Sequence, residues 1–163
     1  MLTTPPFESR PPAWFSMALP APGQMLRPVW HAEPAAPGPG QLCIAVAACG
    51  VCRTDLHIVD DELAFPGHAV VPGHEIVGEV AAVGEGVAGC TVGERVGVPW
   101  LGWACGICHA CRRDGEALMR LAGSLALGVQ AREYPLAEAN RALDDLRARA
   151  YAGAGVLRCR TDG

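Results

Sequence analysis

The chain has 163 residues, half of them hydrophobic, with 13 basic and 17 acidic side chains and a formal net charge of −4. That length is enough for one domain with its own core. The mild acidic balance gives no reason to expect nucleic acid or an acidic membrane surface as partner.

Residues 1–16 are proline-rich and show no period, so a flexible extension is expected there. They lack a cationic region followed by an apolar core, so no secretory leader is expected. No apolar run is long enough to cross a bilayer, and the sequence reads as cytoplasmic. "HAEPAAPGPGQL", 31–42, predicts a turn leading into a strand. "LCIAVAACG", "EIVGEVAAVG" and "ERVGVPW" predict short strands separated by glycine turns. So many short strands with so much glycine predict a small β-barrel. Beyond Asp114 the pattern changes. "GEALMRLAGSLALG" is helix-like. "PLAEANRALDDLRARA", 135–150, predicts a clearer helix, with Pro135 in its first turn and Leu136, Ala139, Leu143 and Leu146 on one stripe. "AGVLR" predicts a closing strand. The fold class is therefore mainly β with C-terminal helices, α+β.

Two constellations carry chemistry. The first joins "CGVCRTDLH", 49–57, to "PGHEIVGE", 72–79, and holds Cys52, His57, His74 and Glu75. Thiolate and neutral imidazole are good zinc ligands, and a glutamate can be a ligand or support one. On its own the pair Cys52 and His74 reads more simply as a buried cysteine and a hydrogen-bonded histidine. The second constellation is Cys105, Cys108 and Cys111 at C-x2-C-x2-C. That spacing points to metal binding rather than disulfides, although a structural zinc wants four ligands. "GEGVAG", Gly84 to Gly89, matches a dinucleotide fingerprint, but a strand-like stretch follows it instead of a helix, so a β-turn is expected. Cys43 and Cys49 read as small buried hydrophobes, Cys90 and Cys159 as lone thiols, and His31 and His68 as solvated.

Taken together, "CGVCRTDLH", "VPGHEIVGEVAAVGEGV", "VGERVGVPWLG" and "CGICHAC" resemble the zinc-dependent alcohol dehydrogenases of the medium-chain dehydrogenase/reductase superfamily. The resemblance runs over 17–116 and implies a GroES-like (chaperonin-10-like) barrel, with NAD(P) bound on a separate Rossmann domain. It implies that Cys52 and His74 are catalytic zinc ligands, with Glu75 their acidic neighbour. Thr54 and His57 match a proton relay, and Cys105, Cys108 and Cys111 match three of four structural zinc ligands. Zinc lowers the pKa of an alcohol oxygen, and a threonine hydroxyl can pass the proton to an imidazole. Trp100 and Trp103 would line the cleft by resemblance, or pack in the core.

The family pattern breaks at Met119, which stands where the fourth structural cysteine is expected. Residues 132–158 resemble the extreme C-terminus of the same family, and 114–131 the helix and strand leading into it. The chain thus reads as two ends of one dehydrogenase joined near 112–118, with 117–158 a return segment of helix, strand, helix and strand. Neither the Rossmann domain nor the third catalytic cysteine is found in the sequence. The expected activity is NAD(P)-linked oxidation of a small alcohol at family level, with this chain inactive alone. The alternative is a non-catalytic zinc module or remnant that self-associates or pairs with an intact paralogue.

Overall fold

The computed structural model describes residues 14–63, 66–100 and 129–160. Two strands, β1 (Trp14–Ala18) and β2 (Arg27–His31), form an antiparallel pair by themselves. The other five make one sheet: β3 (Leu42–Val51), β4 (Glu75–Val83), β5 (Arg95–Val98), β6 (Ala131–Pro135) and β7 (Ala154–Arg158), in the order β5-β4-β3-β7-β6. Helix α1 (Arg53–Val59) follows β3 directly. A 3-10 turn (Leu136–Glu138) and helix α2 (Ala139–Arg147) connect β6 to its parallel neighbour β7.

The strands at 42–51, 75–83 and 95–98 lie where glycine-bounded apolar runs predict them. β3 is the hub. It pairs antiparallel with β4 on one side and with β7 on the other, so the C-terminal segment completes a sheet begun by the N-terminal one. Two irregularities interrupt the β3–β4 register, at Cys43/Ile44 and Val46/Ala48. Bulges of this kind bend and twist a strand.

The core draws on both halves. Met17, Leu19, Leu26, Val51, Leu56 and Val59 pack with Tyr134, Ala139, Ala142 and Leu143. Ala139 and Leu143 on α2 are buried, and Leu136 on the 3-10 turn and Leu146 pack at the edge, as the stripe predicts, but the helix starts at Ala139 and not at Pro135, which ends β6. Asn140 ties the halves further: its amide accepts from Leu26 N and donates to Leu26 O, both at 2.9 Å. Tyr134 donates to Asp145 at 2.8 Å.

Several expectations are corrected. β1 starts at Trp14, inside the stretch expected to be loose, and its Ser16 and Met17 are buried. His31 is only partly exposed. It stacks on Trp14 at 4.1 Å and hydrogen-bonds Ser16 at 2.8 Å, because strand pairing sets it opposite Trp14. His68 is exposed, as expected. "GEGVAG" is a turn between β4 and β5. The first helix of the return segment, predicted from 117, lies outside the described residues.

Candidate active site

Backbone geometry delivers the first donor. Cys52 is the N-cap of α1, extended at φ −125° and ψ 177°. Its Sγ accepts from Thr54 N at 3.3 Å, while Asp55 Oδ2 accepts from Cys52 N at 2.9 Å. This is a capping box with a thiol in the place that serine or threonine usually takes. Cys52 is thereby fixed at the end of β3 with its sulfur at the helix N-terminus.

Strand register delivers the second donor. β3 and β4 pair Gly50 with Glu75, so His74 stands just beyond the ladder, beside the start of α1. His74 Nε2 lies 3.1 Å from Cys52 Sγ. Its Nδ1 lies 3.4 Å from Asp55 Oδ1. The histidine side chain is 14% exposed and the aspartate 4%. Two glycines make room for this packing. A Cβ on Gly73, whose φ is +126°, would stand 2.8 Å from Cys49 Sγ, and one on Gly50 would overlap the Glu75 carboxylate.

The donors Cys52, Asp55 and His74 lie within 4.8 Å of one another. They are not equivalent. Asp55 has one oxygen on a backbone N–H and the other facing Nδ1, so it supports the imidazole from behind. Nε2 and Sγ face each other, and these are the atoms free to bind. A tetrahedral zinc, about 2.3 Å from sulfur and about 2.0–2.1 Å from nitrogen, holds such atoms about 3.6 Å apart. From 3.1 Å, the pair needs to open by about half an ångström. Asp55 Oδ1 and His74 Nδ1 are buried, face each other at 3.4 Å, and have no hydrogen-bond partner among the described residues. A carboxylate behind a ligating histidine fixes its tautomer and raises its basicity. The donor types therefore fit zinc, with Cys52 and His74 as two candidate ligands among the described residues and Glu75 next to one of them.

Sequence reasoning names Cys52, His74 and Glu75 but misses Asp55. The available signal is its place three residues after the cap. Glu75 is exposed. Thr54 and His57 lie one turn apart on α1, and His57 Nδ1 meets Glu62 Oε2. Trp100 is 58% exposed and sets its ring edge-on to His74 at 4.7 Å and 88°, so it borders the site and is not core. Burial, more than the charges of Cys159, Asp55 and Glu75, pushes the neighbouring Cys49 thiol up to about 11. Cys105, Cys108, Cys111, Met119 and Trp103 lie outside the described residues. The cysteines that are described are all free thiols.

The family model described as "Alcohol dehydrogenase GroES-like domain" matches residues 38–144. A "Probable alcohol dehydrogenase AdhA" of Mycobacterium tuberculosis is 49% identical over 87 residues, which are 50% of this chain and 25% of that protein. An alcohol dehydrogenase of a Moraxella species is 43% identical over 107 residues, 64% of this chain and 32% of that one. Among solved structures, the cobalt- and zinc-bound thermostable alcohol dehydrogenase of Pyrobaculum aerophilum matches with a TM-score of 0.51 and 33% identity, over 60% of this chain and 30% of that one. The CAD of Helicobacter pylori, solved with NADP(H), matches with a TM-score of 0.51 and 28% identity, over 60% and 28%. The chain therefore spans about a quarter to a third of the curated relatives it matches.

Proposed function

The chain belongs to the alcohol dehydrogenase GroES-like domain family, and from that premise we propose that it is the metal-holding part of a zinc-dependent alcohol dehydrogenase acting on a small alcohol or aldehyde. The observation that carries this reading is the facing pair Cys52 Sγ and His74 Nε2 at 3.1 Å, with a buried carboxylate behind the imidazole. Zinc held by that pair supplies a Lewis acid that polarises an alcohol oxygen.

The chain's own residues have separable tasks. Cys52 and His74 are the ligands. Asp55 keeps the His74 proton on Nδ1, so that Nε2 is the donor. Glu75, beside His74, is the acidic neighbour of the metal. The Thr54 hydroxyl and the His57 ring, one turn apart on α1, carry a proton from the substrate toward solvent. Trp100 forms an apolar wall at the mouth. Hydride goes to NAD(P), the acceptor used in this family, and no residue of this sequence is assigned to hold it. Cys105, Cys108 and Cys111 are proposed as the remains of a structural zinc site whose fourth ligand is missing at Met119.

The domain division follows the same reading: 17–116 as the first part of the catalytic domain and 117–158 as its returning end. The test is zinc per chain, measured by elemental analysis on reduced protein near neutral pH. Roughly one zinc that Cys52→Ser or His74→Ala removes is the expected result. Zinc that survives both substitutions sinks the assignment. For the 163-residue chain alone, no NAD(P) reduction above background is expected with primary, secondary or benzylic alcohols.

A second reading is supported by the sheet, in which β7 of the returning segment pairs directly with β3. Here the chain is a non-catalytic zinc module that pairs with an intact paralogue. Mixing with a full-length relative must then shift the hydrodynamic size, and an unchanged profile removes this reading.

A further inference from the structure

Beyond the donor set, one side chain is built onto His57. Helix α1 stops with Asp61 at φ +63°, a left-handed conformation that L residues other than asparagine and aspartate rarely adopt. That single residue turns the chain back, and Glu62 N then donates to His57 O at 2.9 Å. This is the six-to-one bond of a Schellman turn, which usually needs a glycine at the position Asp61 fills. The turn brings Glu62 Oε2 onto His57 Nδ1. Glu62 therefore grips His57 twice, once through the backbone and once through the ring.

The chemistry of that contact is directional. An ionised carboxylate has lone pairs and no proton to give. The nitrogen facing it must carry the hydrogen, so the neutral ring is the Nδ1–H tautomer and Nε2 keeps the lone pair. Among the described residues Glu62 is the one hydrogen-bond partner of the His57 ring. We infer that Glu62 is a positioning residue for the proton relay: it holds His57 as the Nδ1–H tautomer and thereby assigns proton acceptance to Nε2. The inference rests on the reading of His57 as a proton carrier given above. It adds which atom carries and which residue decides.

Long-range proton–nitrogen NMR of the full chain reads this without zinc, alcohol or turnover. The spectra are taken at about pH 8.5, above the ordinary imidazole range. In the wild type, His57 shows a protonated Nδ1 and a bare Nε2, while the exposed His68 gives the averaged pattern of a solvated ring. Glu62→Gln keeps an acceptor oxygen and keeps the tautomer. Glu62→Lys offers only donors, so the His57 pattern inverts to Nε2–H. Should that variant not fold, Glu62→Ala makes the same test through a change from a single tautomer to averaged shifts. A wild-type His57 that is averaged or Nε2–H, or one that Glu62→Lys leaves unchanged, overturns the tautomer assignment while the zinc measurement stands untouched. A fixed tautomer together with failure of the zinc measurement makes the contact a helix-end fastening, and the positioning role falls with the functional reading.

Discussion

Asp55 serves two neighbours with one carboxylate, the Cys52 N–H that starts α1 and the Nδ1 side of His74. Asp55→Asn keeps the shape but replaces the carboxylate behind the imidazole. Loss of such a partner lowers metal affinity about 10–100-fold, and competition against a chromogenic chelator measures it. Asp55→Ala also removes the cap bond and costs about 1 kcal/mol in denaturant unfolding.

Cys49 gives a pH prediction whose sign is set by burial. Its thiol is pushed from 9.0 up to about 11, so the folded chain keeps a proton that the unfolded chain has lost. The associated stability is fully present below pH 9 and falls as pH rises from about 9 to about 11. Thermal melts of wild type and Cys49→Ala across that window should converge as pH rises. Cys52 and His74 are legible in the sequence because the motif names them. Asp55 is not, because its role comes from a cap geometry and a strand register that separate parts of the chain only share once folded. Glu62 depends likewise on one residue in a left-handed turn.

At the level of elements, strands bounded by glycine and the α2 stripe can be read directly. α1 cannot, since seven residues barely make two turns and carry little period. β1 and β2 are hidden for a different reason. Their surroundings are proline-rich, and Pro28 sits within β2, which has only one neighbour in its sheet and so tolerates a missing N–H. α2 reaches both halves of the core, through Leu143 against the N-terminal cluster and Asn140 against Leu26. Leu143 is 5% exposed. Leu143→Ala should cost about 2–5 kcal/mol, read by chemical denaturation, with zinc binding preserved in whatever fraction stays folded. A loss confined to zinc binding would contradict the placement of Leu143 in the shared core.

For the whole molecule, the chain reads as two segments, and the sheet order shows how they depend on each other. β7 lies between β3 and β6, so residues 131–160 fill one side of the central strand. Deleting them bares that side of β3 and removes Tyr134, Ala139, Ala142 and Leu143 from the core. A chain ending at residue 128 should lose the cooperative unfolding transition and bind a hydrophobic dye. If it melts cooperatively, the return segment is an accessory. The described helices include none long and apolar enough to cross a membrane. Exposed Met25, Val29 and Trp30 give the surface an apolar component on and beside β2.

The same topology sets an order of events during synthesis. Cys52 and His74 are 22 positions apart and meet across a pair of neighbouring strands. Leu26 and Asn140, which fasten the core, are 114 positions apart. Contacts between nearby residues form sooner than distant ones, since less chain must be ordered to make them. As the polypeptide emerges from the ribosome, Cys52 and His74 are both made long before α2, but the core that fixes them waits for Ala139, Ala142 and Leu143. The last segment to be made is thus the one that sets the interior, and the thiol and imidazole stay on an unfinished sheet until it docks.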